Sequence, residues 1–193
     1  MAQTFTTRGA EGFDRRAFTV DDVQRMLEAG VLDWDEKFEL IRGEIVPMNA
    51  QLTPHAMIKS RIGRWLGSRL DEALFDVGVD VTVQLGAAAL FEPDVFVAKR
   101  LPNLARAFLP AGSALLVVEV ADTTLRIDRD IKAPDYAAAG VPELWVVDIN
   151  KRETLVFRGS GDGRFAPALV IPFEGVLAPG FAPALSLVMT TLE

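Results

Sequence analysis

The chain has 193 residues, half of them apolar, a net charge of −7, one histidine and no cysteine. That length suits one domain with a sizeable core. The composition excludes disulfides, thiolate-held zinc and a multi-histidine metal centre within the chain, and the acidic balance argues against a general electrostatic grip on nucleic acid. Any metal must therefore be held by oxygen, which points to Mg²⁺ or Mn²⁺. The lack of cysteine fits a reducing compartment, so a cytoplasmic location is expected. No signal-peptide pattern opens the chain, and no apolar run approaches the roughly 20 residues that span a bilayer, so no membrane partner is expected.

Residues 1–17 are polar and aperiodic and read as a loose N-terminal arm, leaving residues 18–193 as a single domain. Thr19 suits an N-cap, with Asp22 three residues on, for a helix over 20–29 that carries Val23, Met26 and Leu27 on one face and ends at Gly30. Phe38-Glu39-Leu40-Ile41 and Glu44-Ile45-Val46 flank Arg42-Gly43, the pattern of a tight hairpin. Thr53 is a candidate cap for a helix from about 54 to 74, in which Ile58, Ile62, Trp65, Leu66, Ala73 and Leu74 recur at helical spacing. Lys59, Arg61, Arg64 and Arg69 on that helix read as a solvated face, with a phosphate-facing helix as the sharper alternative.

Residues 77–85 alternate apolar and polar side chains, as a strand with one wet face does. Residues 89–98 form a second strand, whose Pro93 implies a bulge or an edge position. Residues 113–121 are a near-continuous apolar, β-branched run, the mark of a strand buried on both faces. A helix is expected over 126–139 with Pro134 inside it and Gly140 at its end, followed by strands over 143–148 and 154–158 and a short strand over 184–189. The fold class is therefore α/β. Three strands make a meander, and the helix returns the chain parallel to the third by a right-handed crossover, giving a mixed sheet flanked by helices.

Glu119 lies inside the doubly buried run, where a carboxylate is costly unless something positive pairs with it. Asp94 is on the preceding strand, and adjacent strands sit about 4.8 Å apart, so the two carboxylates can share a cation if their registers match. Lys132 follows on the next helix and shares a face with Tyr136 four residues on. Singly, each has a plainer reading. Glu119 could face water at a strand end, Asp94 could cap a turn, Lys132 could be exposed, Tyr136 could be packing, and His55 could be a surface or capping residue.

Together these residues resemble the Uma2 family of the PD-(D/E)XK nuclease superfamily. The carriers are Phe38-Glu39-Leu40-Ile41-Arg42-Gly43-Glu44, Pro93-Asp94-Val95, Glu119-Val120, the stretch from Asp128 to Tyr136 with Lys132, and Gly140-Val141-Pro142-Glu143-Leu144-Trp145-Val146-Val147-Asp148. The resemblance covers residues 18–189. It implies a restriction-endonuclease-like core with a metal site at Asp94 and Glu119. The superfamily's usual lysine position, two after the glutamate, is Ala121 here, and the lysine looks transplanted to Lys132. Asp122-Thr123-Thr124 stands where the family often shows Ser-Pro-Ser. Such sites often include a glutamate from the N-terminal part: Glu44 is named with the catalytic set and Glu39 stays beside it as an accessory candidate, with His55 and Tyr136. The implied activity is Mg²⁺- or Mn²⁺-dependent endonucleolytic hydrolysis of nucleic acid, DNA foremost. Asp94 and Glu119 hold one or two ions, and Lys132 orients or activates the attacking water. The alternatives are an inactive nuclease-fold protein that binds nucleic acid or protein, and a metal-dependent hydrolase with another substrate. The apolar composition further suggests a subunit interface, hence a homodimer.

Overall fold

The structure is a computed structural model that describes residues 6–8, 12, 14–101, 108–159 and 161–193. Part of the expected N-terminal arm lies outside the described residues. Within it, β1 (Thr6–Arg8) and β2 (Asp14–Arg16) pair antiparallel. Helix α1 (Val20–Glu28) starts with the expected cap. The Thr19 hydroxyl accepts the Asp22 N–H at 3.1 Å and the Asp22 carboxylate accepts the Thr19 N–H at 3.0 Å, so two otherwise orphaned donors are satisfied. The hairpin of β3 (Phe38–Ile41) and β4 (Glu44–Pro47) turns through Arg42 and Gly43, both at positive φ, as a two-residue turn between twisted strands requires. At Gly43 a Cβ would also stand 2.4 Å from the Cβ of Ala17, so only glycine fits.

Helix α2 (Thr53–Gly67) ends earlier than its apolar periodicity suggests. Leu52, not Thr53, occupies the capping position, with Pro54 in the first turn. At the far end the Ser68 hydroxyl bonds the Trp65 carbonyl, and the chain turns at Asp71, whose carbonyl accepts the N–H groups of Leu74 and Phe75. The apolar residues near 74 thus belong to the next strand's approach, and Leu74 is exposed.

The two long strands expected over 77–85 and 89–98 are each broken. β5 (Phe75–Val79) stops at Asp80, which adopts φ 53°, and the chain resumes as β6 (Val83–Gly86). β7 (Ala89–Phe91) stops before Pro93, which has no N–H for a ladder, and β8 (Val95–Lys99) follows. β9 (Leu109–Pro110) and β10 (Ala114–Ala121) come next. The expected helix over 126–139 is α3 (Leu125–Ile127), a π-helical turn at Asp128–Lys132, and α4 (Ala133–Ala138). Pro134 cannot donate to the carbonyl four residues back, so the regular ladder is interrupted there. β11 (Glu143–Asp148), β12 (Glu153–Arg158), β13 (Leu169–Pro172), β14 (Val176–Leu177) and β15 (Leu187–Val188) complete the chain, the last being all that forms of the strand expected over 184–189.

The main sheet has the order β13-β12-β11-β10-β8-β5, with β10 and β11 parallel and the other neighbours antiparallel. The expected meander survives as β5-β8-β10, with β6 and β7 diverted into a second sheet of order β4-β3-β7-β6-β9. β10 is buried on both faces, as its composition requires. Val118 and Val120 pack with Ile58, Ile62 and Leu66 of α2, while Val117 and Ala121 pack with Phe91, Tyr136 and Val146 on the opposite side. Glu119 alternates onto that second side, facing the helical segment.

Candidate active site

Two elements carry the key carboxylates. The β8–β10 ladder pairs Val118 with Val95, and continuing it by one rung brings Glu119 beside Asp94, which stands just ahead of β8. The Asp94 Oδ2 accepts the Val120 N–H at 2.7 Å, pinning the carboxylate to the backbone of β10. Both carboxylates are buried and line one cleft of about 450 Å³. Its walls also hold Glu39, His55, Glu92, Asp122, Thr124, Asp128 and Lys132. A larger hollow of about 520 Å³ beside Ala133, Ala137, Phe157 and Phe165 is lined by no carboxylate and offers no comparable chemistry.

Lys132 is the hub of the cleft's charged side. The π-helical turn directs it and Asp128 inward together. Its Nζ lies 2.8 Å from Glu39 Oε1, 3.2 Å from Glu119 Oε1 and 3.7 Å from Asp128 Oδ1. Tyr136, one turn on, donates its hydroxyl to the same Glu119 oxygen at 2.7 Å. Thr124 donates to the Asp128 Oδ2 at 2.5 Å. The Glu39 Oε1 also accepts the Glu92 N–H at 2.9 Å. Arg42 bonds both Asp135 oxygens, tying the hairpin that carries Glu39 to the helix that carries Tyr136.

One ammonium thus serves three carboxylates. Burial pushes the Glu119 carboxyl well above the usual carboxylate range, and Lys132 pulls it back. The charges of Asp128, Asp94 and Glu39 add to the upward push. Asp128 is raised for the same leading reason, burial, against the pull of Lys132 and the Thr124 hydrogen bond. Burial works against the Lys132 ammonium, but Glu119, Glu39 and Asp128 outweigh it, so Lys132 is held above an ordinary lysine and stays charged. Burial also raises Tyr136, which keeps its proton as a donor.

The structure therefore brings Asp94, Glu119, Lys132, Glu39, His55 and Tyr136 together. It does not bring Glu44. That residue is exposed and does not line the cleft, although Ile41, its partner on the hairpin ladder, does. His55, weighed as a surface residue, is half-buried with its Nε2 2.8 Å from Asp94 Oδ1.

Two residues escaped the sequence reading. Lys59 is buried, not solvated, and its Nζ bonds Asp80 at 2.8 and 3.0 Å and lies 3.7 Å from Asp94 Oδ1. Its place three before Ile62 and seven before Leu66, on the apolar stripe, was the available signal. Asp128 could have been found by its spacing of four from Lys132.

Among the described residues no group of three or more histidine and carboxylate side chains converges to hold an ion unaided. Two buried carboxylates do face the cleft, and the Glu119 Oε2 takes no hydrogen bond among the described residues. A hard cation that keeps several of its waters suits such a two-carboxylate oxygen set. The excess of buried negative charge around Lys132 favours one electrostatically. The donor set therefore fits Mg²⁺ or Mn²⁺.

Residues 20–190 match the model of the family described as "Uma2: Putative restriction endonuclease". The fold matches the crystal structure described as a putative nuclease belonging to DUF820 from Anabaena variabilis, with a TM-score of 0.74 over 91% of this chain and 97% of that one, at 18% sequence identity. No curated protein matches the chain. No helix among the described residues is long and apolar enough to cross a membrane.

Proposed function

Because this chain belongs to the Uma2 family, we propose that it is a metal-dependent endonuclease acting on the phosphodiester bonds of nucleic acid, DNA foremost, in the cytoplasm. The observation that carries this reading is the convergence of Asp94, Glu119 and Lys132 on one cleft. Asp94 and Glu119 would hold Mg²⁺ or Mn²⁺. When bound, the ion supplies positive charge to the phosphate and makes a water a better nucleophile at neutral pH.

The chain's own residues do the rest. Six cleft-lining carboxylates, Glu39, Glu92, Asp94, Glu119, Asp122 and Asp128, repel a phosphate until positive charge offsets them. Lys132 contributes a permanent part of that charge and a donor beside Glu119, where negative charge grows on the phosphoryl oxygens in the transition state. Held protonated by its neighbours, Lys132 donates hydrogen bonds and does not take the water's proton. Tyr136 occupies Glu119 Oε1 and leaves Oε2 for the cleft. Glu39 and Asp128 keep the Lys132 side chain in place.

A plasmid-nicking assay with Mg²⁺ or Mn²⁺ tests the proposal. Wild type should cut and Asp94→Ala should not. No metal-dependent cleavage of any DNA or RNA substrate would count against it. A second reading, an inactive nuclease-fold module that binds nucleic acid or protein, is favoured by the lack of a third converging ligand among the described residues. It predicts retained binding without cutting. We also propose that residues 18–193 act as one domain and that the chain is a homodimer, which exposed Leu169 and Val170 on the edge strand β13 support. A monomer mass by light scattering at micromolar concentration would refute the dimer.

A further inference from the structure

Asp94 is gripped from two sides. The rigid backbone of β10 holds Oδ2 through the Val120 N–H at 2.7 Å, and His55 reaches Oδ1 from α2 at 2.8 Å. An ionised carboxylate has no proton to give, so the His55 Nε2–H is the donor in this contact. Lys59, one turn further along α2, is the stronger competitor for Oδ1, yet it stands off at 3.7 Å. Asp80 takes its ammonium at 2.8 and 3.0 Å, and Gln51 takes a further donor. Asp80 does so from φ 53°, a left-handed conformation uncommon outside glycine. The charge of Lys59 is thereby largely spent on Asp80, and Oδ1 is left to the imidazole.

We propose that His55 is a positioning residue that presets the Asp94 carboxylate in the orientation lining the cleft, so that a cation meets a ligand already in place. The inference rests on the reading of Asp94 as a cation ligand. An aspartate carboxylate otherwise turns broadly about its last side-chain torsion. Opposed hydrogen bonds from a strand and a helix remove that freedom before the ion arrives, as partners behind first-contact ligands do in metal sites generally. His55 is the only histidine of the chain, so its removal leaves no other imidazole to take over.

The test is calorimetric titration of the full chain with Mn²⁺ alone, beside a thermal unfolding curve for every variant. Wild type should bind and Asp94→Ala should not. His55→Ala should bind about 10- to 100-fold more weakly at an unchanged unfolding midpoint. His55→Gln, whose amide keeps a donor near the same place, should recover most of the loss. His55→Leu, which keeps bulk and lacks a donor, reads the same loss should the alanine variant fail to fold. Binding by His55→Ala or His55→Leu equal to wild type overturns the positioning role alone. A folded His55→Gln as weak as the alanine variant also overturns it, because the imidazole would then be needed as a direct ligand. A wild type that binds no Mn²⁺ overturns the reading of the Asp94–Glu119 site, and this inference with it.

Discussion

Lys132→Met deletes the cleft's hub charge and nearly preserves its length. The ammonium sits 2.8, 3.2 and 3.7 Å from Glu39, Glu119 and Asp128, and none of the four side chains is more than 7% exposed. At an effective dielectric of ~20 each attraction is on the order of 4–6 kcal/mol before desolvation and the mutual repulsion of the carboxylates are subtracted. Removing one partner of such a buried set leaves a net loss of about 3–5 kcal/mol. For a chain of this size each kcal/mol moves the unfolding midpoint by roughly 2–4 °C, so the variant should melt roughly 6–20 °C lower near neutral pH.

The penalty also has a pH signature. Burial raises Glu119 and Asp128, and Lys132 holds both down. Without Lys132 they rise further, so the folded variant binds protons at a pH where the unfolded chain does not. A carboxyl raised in the folded state costs stability at high pH and gives it back as pH falls towards its unfolded value, 4.5 for a glutamate. The gap between wild type and variant, read by calorimetry, should therefore narrow on going from neutral pH to about pH 5. A shift smaller than about 2 °C near neutrality, or a gap that widens in acid, would refute the account of Lys132 as the cation of a buried acidic cluster.

Glu44→Ala should leave cleavage and stability within about 0.5 kcal/mol of wild type, since the residue is exposed and outside the cleft. Glu39→Gln should weaken both, by loosening Lys132, and equal kinetics for the two variants would contradict this placement. Thr19→Ala should cost about 1 kcal/mol in chemical denaturation through loss of the capping box. The Thr19 backbone N–H and hydroxyl hold Asp22 below its ordinary value of 3.8. The variant loses only the hydroxyl's share of that hold, which is present above that pH and lost as pH falls through the lowered value, so the gap should narrow in acid without closing, because the bond from the Asp22 N–H to the Thr19 hydroxyl does not titrate. Gly63→Ala should destabilise although helix propensity alone favours it by about 1 kcal/mol, because the new Cβ would stand 2.8 Å from a Val79 methyl. A stabilised variant would show that Val79 turns aside freely.

Local chemistry made much of this chain legible in advance. The Thr19 cap, the Arg42-Gly43 turn and the doubly buried β10 depend on neighbours in sequence, and each formed where its residues predict. The pairing of Asp94 with Glu119 was also within reach, because strand register follows from side-chain alternation once two strands are known to be adjacent. The breaks at Asp80 and Pro93 were harder to place. Each segment has a strand's composition throughout, and only the presence of a second sheet to receive β6 and β7 makes splitting favourable.

What only the tertiary structure decided is which charged side chains are buried. Lys59 reads as part of a solvated face in the one-dimensional pattern, and Glu39 and Glu44 look interchangeable, yet Lys59 and Glu39 are buried. The fates of Lys59 and Glu39 depend on opposite charges brought within 4 Å from elements distant in the chain, Asp80 for Lys59 and Lys132 for Glu39, whereas Asp128 meets Lys132 on its own π-helical turn. Burial of a charge is stable only when such partners arrive together, and sequence spacing does not report that convergence.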